Sequence, residues 1–173
     1  MRAVPQQSEG VMDNDRTILE KAVAHAVSGK GAHVEAKNTF AGLDWKVAGT
    51  RPDGVPHSLF QLLNHLIYWQ DWAVKWLDGE HPPIPKHASG SWPGSPGPAS
   101  RAELQKVVRH FQSGLEDLGR QSREADLFAK RRNKSRLEML QTIASHNSYH
   151  LGQAVLLRQM LGTWPPPSGG LTW

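Results

Sequence analysis

The chain has 173 residues, enough for one domain whose core needs no disulfide or metal staple. It contains no cysteine, which excludes disulfides, thiolate metal sites, iron–sulfur clusters and a cysteine nucleophile, so any metal must be held by His, Asp or Glu. The net charge of +4 favours anionic partners only weakly, and no apolar run reaches the ~18–20 residues of a membrane span.

The N-terminal run MRAVPQQSEGVMDND lacks the apolar segment of a secretory signal, and a cytoplasmic location is expected. A first helix is predicted over about 13–29, stopping at Gly29-Lys-Gly31, followed by one short helix somewhere in 32–43. A second is predicted over 58–78. It opens on the capping box Ser58-Leu-Phe-Gln61 and stops at Gly79 ahead of Pro82 and Pro83. The Pro/Gly/Ser-rich stretch 81–100 must be a loop, because its prolines break helix and strand alike.

The third helix is predicted over 100–118, from the box Ser100-Arg-Ala-Glu103 to a stop at Gly119. Its apolar stripe is Leu104, Val107, Val108, Phe111, Leu115 and Leu118. Lys130, Arg131, Arg132, Lys134 and Arg136 then form a basic run. It reads as a solvated loop rather than a nucleic-acid surface, because no aromatic residues interleave it. The fourth helix, 135–161, opens on Ser135-Arg-Leu-Glu138, ends before Gly162 and Pro165, and would be roughly 40 Å long at ~1.5 Å per residue. No segment alternates with period two over a strand length. The fold class is therefore all-α, a single four-helix bundle domain over 1–173. Its two long connections permit parallel neighbours.

Histidines interrupt two of the apolar stripes. His146 and His150 stand at i and i+4 on the line of Met139, Ile143, Ala154, Leu157 and Leu161, and so stack on the core face of the fourth helix. His65 stands among Leu62, Leu66, Trp69, Ala73 and Trp76 on the inward side of the second. An unsatisfied buried polar group costs about 1–3 kcal/mol, and one divalent metal ion shared by the three imidazoles would satisfy them. The competing reading is ordinary: an HxxxH pair on a helix is more often surface or hydrogen-bonded histidine. Asn147 follows His146 where a zinc peptidase would carry its Glu, which excludes that route to hydrolysis.

The run HNSYHLGQAVLLRQMLGTWPP, 146–166, resembles the C-terminal signature of the DinB-like superfamily, named for DNA-damage-inducible bacterial proteins. PHSLFQLLNHLIYWQDW, 56–72, resembles its second-helix motif, and GTRPDG, 49–54, also fits. The resemblance implies a four-helix bundle in up-up-down-down order, frequent homodimers, and a triple-histidine site for nickel or zinc completed by water. The ligands carried over are His65, His146 and His150. Gln153 matches the glutamine after the second histidine of the pair, where it either contacts a metal-bound water or substrate or simply packs. Characterised relatives include thiol-dependent S-transferases and an isomerase that use low-molecular-weight thiols such as bacillithiol or mycothiol.

On this basis the leading expectation is a metal-dependent enzyme transferring an external thiol to a small electrophile, with Trp69, Trp72 and Trp76 as a pocket wall or as core filling. The alternatives are a metal-binding stress-response or dimeric interaction protein without catalysis, and a small-molecule metallohydrolase. Asp71 is turned away from His65 on an ideal helix. His25, His33, His57, His81, His87 and His110 have no partner at ligand spacing and read as structural or surface residues.

Overall fold

The computed structural model describes the backbone of residues 7–124 and 126–170, with side chains over 14–123 and 126–170. The residues 1–6 that open the run read above as lacking a secretory signal lie outside the described range. Four helices dominate: α1 (Gln7–Ser28), α2 (Leu59–Asp78), α3 (Arg101–Glu124) and α4 (Arg136–Met160). A 3-10 turn at Ala36–Asn38 is the short helix expected in 32–43, and a second 3-10 turn spans Ala88–Ser91. The protein is an all-α four-helix bundle. None of the described helices is long and apolar enough to cross a membrane.

Local sequence accounts for most of the helix limits. Ser58 and Ser135 each accept the N3 amide while Gln61 and Glu138 bond back to the cap, so both boxes close as read. At α3 the Ser100 hydroxyl accepts from the Glu103 amide, but the Glu103 carboxylate reaches one residue further back, to the Ala99 amide. Gly79 ends α2 in the left-handed conformation at φ 102, where a side chain would be strained.

Two limits differ from expectation. α1 is already helical at Gln7, the first described residue, rather than from near 13, since no proline interrupts the sequence between Gln7 and Ser28. α3 runs through Gly119 to Glu124. A helix-interior glycine costs only about 1 kcal/mol relative to alanine. The extra turn places Gln121 and Ser122 in buried positions and lets Gln121 Nε2 donate to Asp78 Oδ1 at 2.6 Å.

The helices form a ring in which α1 and α2 each pack on both α3 and α4. Leu59, Leu63, Leu66 and Leu77 of α2, Phe111 and Leu118 of α3, and Leu140, Leu151 and Ala154 of α4 are almost completely buried and form one core. Each large side chain there contributes about 1.5–3 kcal/mol of hydrophobic transfer.

Residue pairings fix the directions. His65 near the start of α2 meets His150 of α4, and Leu77 at its end meets Arg136, so α2 and α4 are antiparallel. Asp71 meets His110 and Asp78 meets Gln121, so α2 and α3 are parallel. Gln112 of α3 donates to the Lys37 carbonyl just beyond the end of α1, while Thr17 and Arg123 border one cavity, so α1 and α3 are antiparallel. The order is up-down-down-up, not up-up-down-down. α2 and α3 are parallel neighbours because residues 79–100 carry the chain back along the bundle, and α1 and α4, which also pack together, are the second parallel pair.

That return segment is laid along α2 as a strap. Trp72 Nε1 donates to the carbonyls of Pro82 and Pro83, each at 3.1 Å. Gln61 Nε2 donates to Pro93 O at 3.1 Å, and the Ser58 hydroxyl to Pro96 O. The strap advances as α2 is followed backwards, 82 beside 72, 93 beside 61 and 96 beside 58. Proline carbonyls accept without needing a ladder, so a proline-rich segment suits this path.

The basic run is not simply a solvated loop. Lys130–Arg131 and Lys134–Ser135 pair as a short antiparallel hairpin, β1 and β2. Arg136 is only 6% exposed and donates to Leu77 O and Gln121 Oε1, tying the start of α4 to the ends of α2 and α3.

Candidate metal centre

α2 and α4 turn His65, His146 and His150 to one interior point. One ligand atom from each lies within 4.8 Å of the others. His65 and His150 are buried and His146 partly so. The Nε2 atoms of His65 and His146 are 3.2 Å apart, a spacing that suits two nitrogens bound to one ion at about 2.0–2.1 Å in near-tetrahedral geometry.

Backbone and amide oxygens set the ring orientation. His65 Nδ1 lies 3.3 Å from Ser91 O, and a carbonyl only accepts, so Nδ1 carries the proton and Nε2 presents a bare lone pair inward. His150 Nδ1 donates to Gln153 Oε1 at 2.8 Å, which leaves its Nε2 free in the same way. This is the outer-shell arrangement that fixes the tautomer of metal-binding imidazoles. His146 Nδ1 is buried without a hydrogen-bond partner, beside an Asn147 amide whose two polar atoms are also unpartnered.

All three rings are held neutral. Burial, followed by the His150 ring, lowers His65 to about 4, and the same two causes lower His146 to about 4. His150 is lowered by burial, with Gln153 opposing. The charged forms that perturb His65 are the other histidines, His150, His146 and His57. Neutral, desolvated imidazoles with lone pairs converging are the state a divalent ion requires. The residues present fit such an ion.

Aromatic rings enclose the cluster. Trp69 stands edge-on to His65 and His146 at centroid distances of 6.5 and 6.2 Å. Of the other two tryptophans in that stripe, Trp76 is buried in the core and Trp72 holds the strap. The wall has a member that helical periodicity could not reveal. Trp92, from the strap, stacks flat on His65 at 3.9 Å and 5°. His57 stacks on the opposite face of Trp92 at 3.6 Å and 8°, and so belongs to the surroundings of the centre, although it has no ligand spacing.

Other expected residues fall elsewhere. Asp71 pairs with His110 at 2.9 Å on the outside of α2 and α3. His33 bonds Val34 O at 2.7 Å and Ser148 Oγ at 3.1 Å, joining the end of α1 to α4. Cavities of about 780 Å³ between α1 and α3, and about 620 Å³ beside Trp45 and Arg109, contain none of the three histidines. The convergence of ligand atoms, not cavity size, marks the centre.

A family model described as the DinB superfamily matches residues 34–154, which include all three histidines. The chain belongs to the DinB superfamily. No curated protein and no solved structure matches it. The histidine cluster of this DinB-superfamily chain is compatible with metal binding.

Proposed function

We propose that this DinB-superfamily protein binds one divalent cation, nickel or zinc, through His65, His146 and His150, and transfers an external low-molecular-weight thiol to a small electrophile. The observation that carries the metal reading is the set of three neutral imidazoles whose ligand atoms lie within 4.8 Å of one another, with no carboxylate in the cluster. A divalent cation on three neutral ligands keeps its full charge, favours an anion at its open position, and lowers the pKa of a thiol or water there.

The chain's own residues supply the rest. Ser91 O and Gln153 Oε1 hold two of the imidazoles in the tautomer that directs Nε2 inward. Trp69 and Trp92 exclude water from one side. Both faces of Trp92 are taken by His65 and His57, so the apolar surface left for an electrophile is that of Trp69. With no cysteine in the sequence, the thiol must come from outside. A homodimer is part of the same reading and rests on the family resemblance; a cytoplasmic location is proposed with it.

A second reading is a metal protein without turnover. It is favoured by the close cover of Trp69 and Trp92 and by the position of the cavities, which lie away from the histidines. Elemental analysis of the purified protein, followed by incubation with a panel of thiols and electrophiles, separates the two. Metal-dependent thiol consumption supports transfer. Retained metal with no consumption supports the binding protein, and turnover with water alone supports a hydrolase.

A further inference from the structure

We infer that Trp92 is a positioning residue of the histidine centre, and that docking of the strap 79–100 along α2 and cation binding at His65, His146 and His150 are coupled. The inference rests on the metal reading above and adds a device that reading does not contain.

Consecutive strap residues restrain one ligand in two ways. The Ser91 carbonyl receives His65 Nδ1–H at 3.3 Å and fixes which nitrogen points inward. The Trp92 indole lies parallel to the same imidazole at 3.9 Å and 5°, and fixes its plane. A helix backbone does not set that plane, because the terminal torsion of histidine is broad and roughly two-fold. His57 closes the far side of Trp92 at 3.6 Å and 8°, so the indole is held in a three-ring stack. The edge of Trp92 also faces His150 at 5.8 Å.

The strap does not depend on Trp92 for its attachment. Trp72 holds it at Pro82 and Pro83, and Gln61 and Ser58 hold it at Pro93 and Pro96. Loss of the indole therefore frees the His65 ring while the strap stays tethered on both sides. Coupling is reciprocal: if the docked strap improves cation affinity, the cation must stabilise the docked strap by the same factor.

The test is Zn²⁺ affinity by competition with a chromophoric chelator, with circular dichroism as the control for folding. Trp92→Leu, which keeps apolar bulk without a flat ring, should weaken binding about 10–100-fold, the range for loss of an outer-shell partner. Trp92→Phe should restore most of it. In the wild type, Zn²⁺ should slow amide exchange over residues 89–97, and in Trp92→Leu it should not. Wild-type affinity in a folded Trp92→Leu variant, or equal loss in the Phe and Leu variants, overturns the positioning role. A wild-type protein that takes up neither Zn²⁺ nor Ni²⁺ overturns the metal reading itself, and the coupling falls with it; if it takes up Ni²⁺ alone, the same variants are compared by Ni²⁺ affinity.

Discussion

The Nε2 atoms of His65 and His146 face each other at 3.2 Å across the α2–α4 boundary. Because the Nδ1 proton of His65 is committed to Ser91 O, its Nε2 can only accept. Either His146 Nε2–H donates to it, or both nitrogens bind a cation. Replacing either ring distinguishes these. In His65→Ala and His146→Ala, metal content measured by elemental analysis should fall to background while the helical dichroism stays. A variant lacking either ring that retained stoichiometric metal would leave the contact as a plain imidazole hydrogen bond.

The pH dependence of the metal-stripped protein follows from the same pair. Both rings fall from the usual 6.5 to about 4, chiefly through burial. As pH drops below 6.5, the unfolded chain takes up protons that the folded chain refuses until about 4. Stability contributed by the neutral pair is complete above pH 6.5 and is lost as pH falls towards 4. Thermal unfolding in chelator should show Tm declining through that window, with a shallower decline in a His65→Ala/His146→Ala double variant. An equal decline in both proteins would place the titrating groups elsewhere.

Gln153 is exposed, yet its Oε1 accepts from His150 Nδ1–H at 2.8 Å. The contact holds the orientation of the His150 ring. Gln153→Ala should lower Zn²⁺ affinity about 10-fold with less than about 1 kcal/mol effect on unfolding, since it removes an outer-shell partner and buries nothing new. Gln153→Glu should keep or strengthen affinity. If Gln153→Ala leaves affinity unchanged and instead raises KM for a substrate, the residue contacts substrate.

What was legible in the sequence was what local chemistry determines. Ser58, Ser100 and Ser135 announce helix starts because a cap and its N3 partner lie within one turn. His146 and His150 declare a shared face because i and i+4 always do. Trp92 was hidden, because nothing in a proline-rich stretch says which helix it will lie against. Arg136 looked like one more surface cation. Its burial depends on the ends of α2 and α3 arriving together, which in turn depends on α3 continuing past Gly119. The helix directions were hidden for the same reason, since a long connection permits either sense.

Two glycines in α3 make the last prediction, and their signs should be opposite. Each sits in a helix interior, where alanine is intrinsically better by about 1 kcal/mol. A Cβ at Gly119 would find its nearest neighbour, Arg123 Nη1, at 3.9 Å, so Gly119→Ala should gain a few tenths to about 1 kcal/mol. A Cβ at Gly114 would meet Gln70 Oε1 at 2.6 Å. Gln70 is fully buried, and its Cδ and Cβ would also lie at 3.3 and 3.4 Å from that Cβ, so turning the amide tip alone does not clear the contact. Overpacking costs about 1–3 kcal/mol, which outweighs the propensity gain, so Gly114→Ala should lower stability in urea unfolding. Equal stabilisation by both substitutions would mean that Gln70 moves aside freely, and that α2 and α3 pack less tightly than the 2.6 Å approach requires.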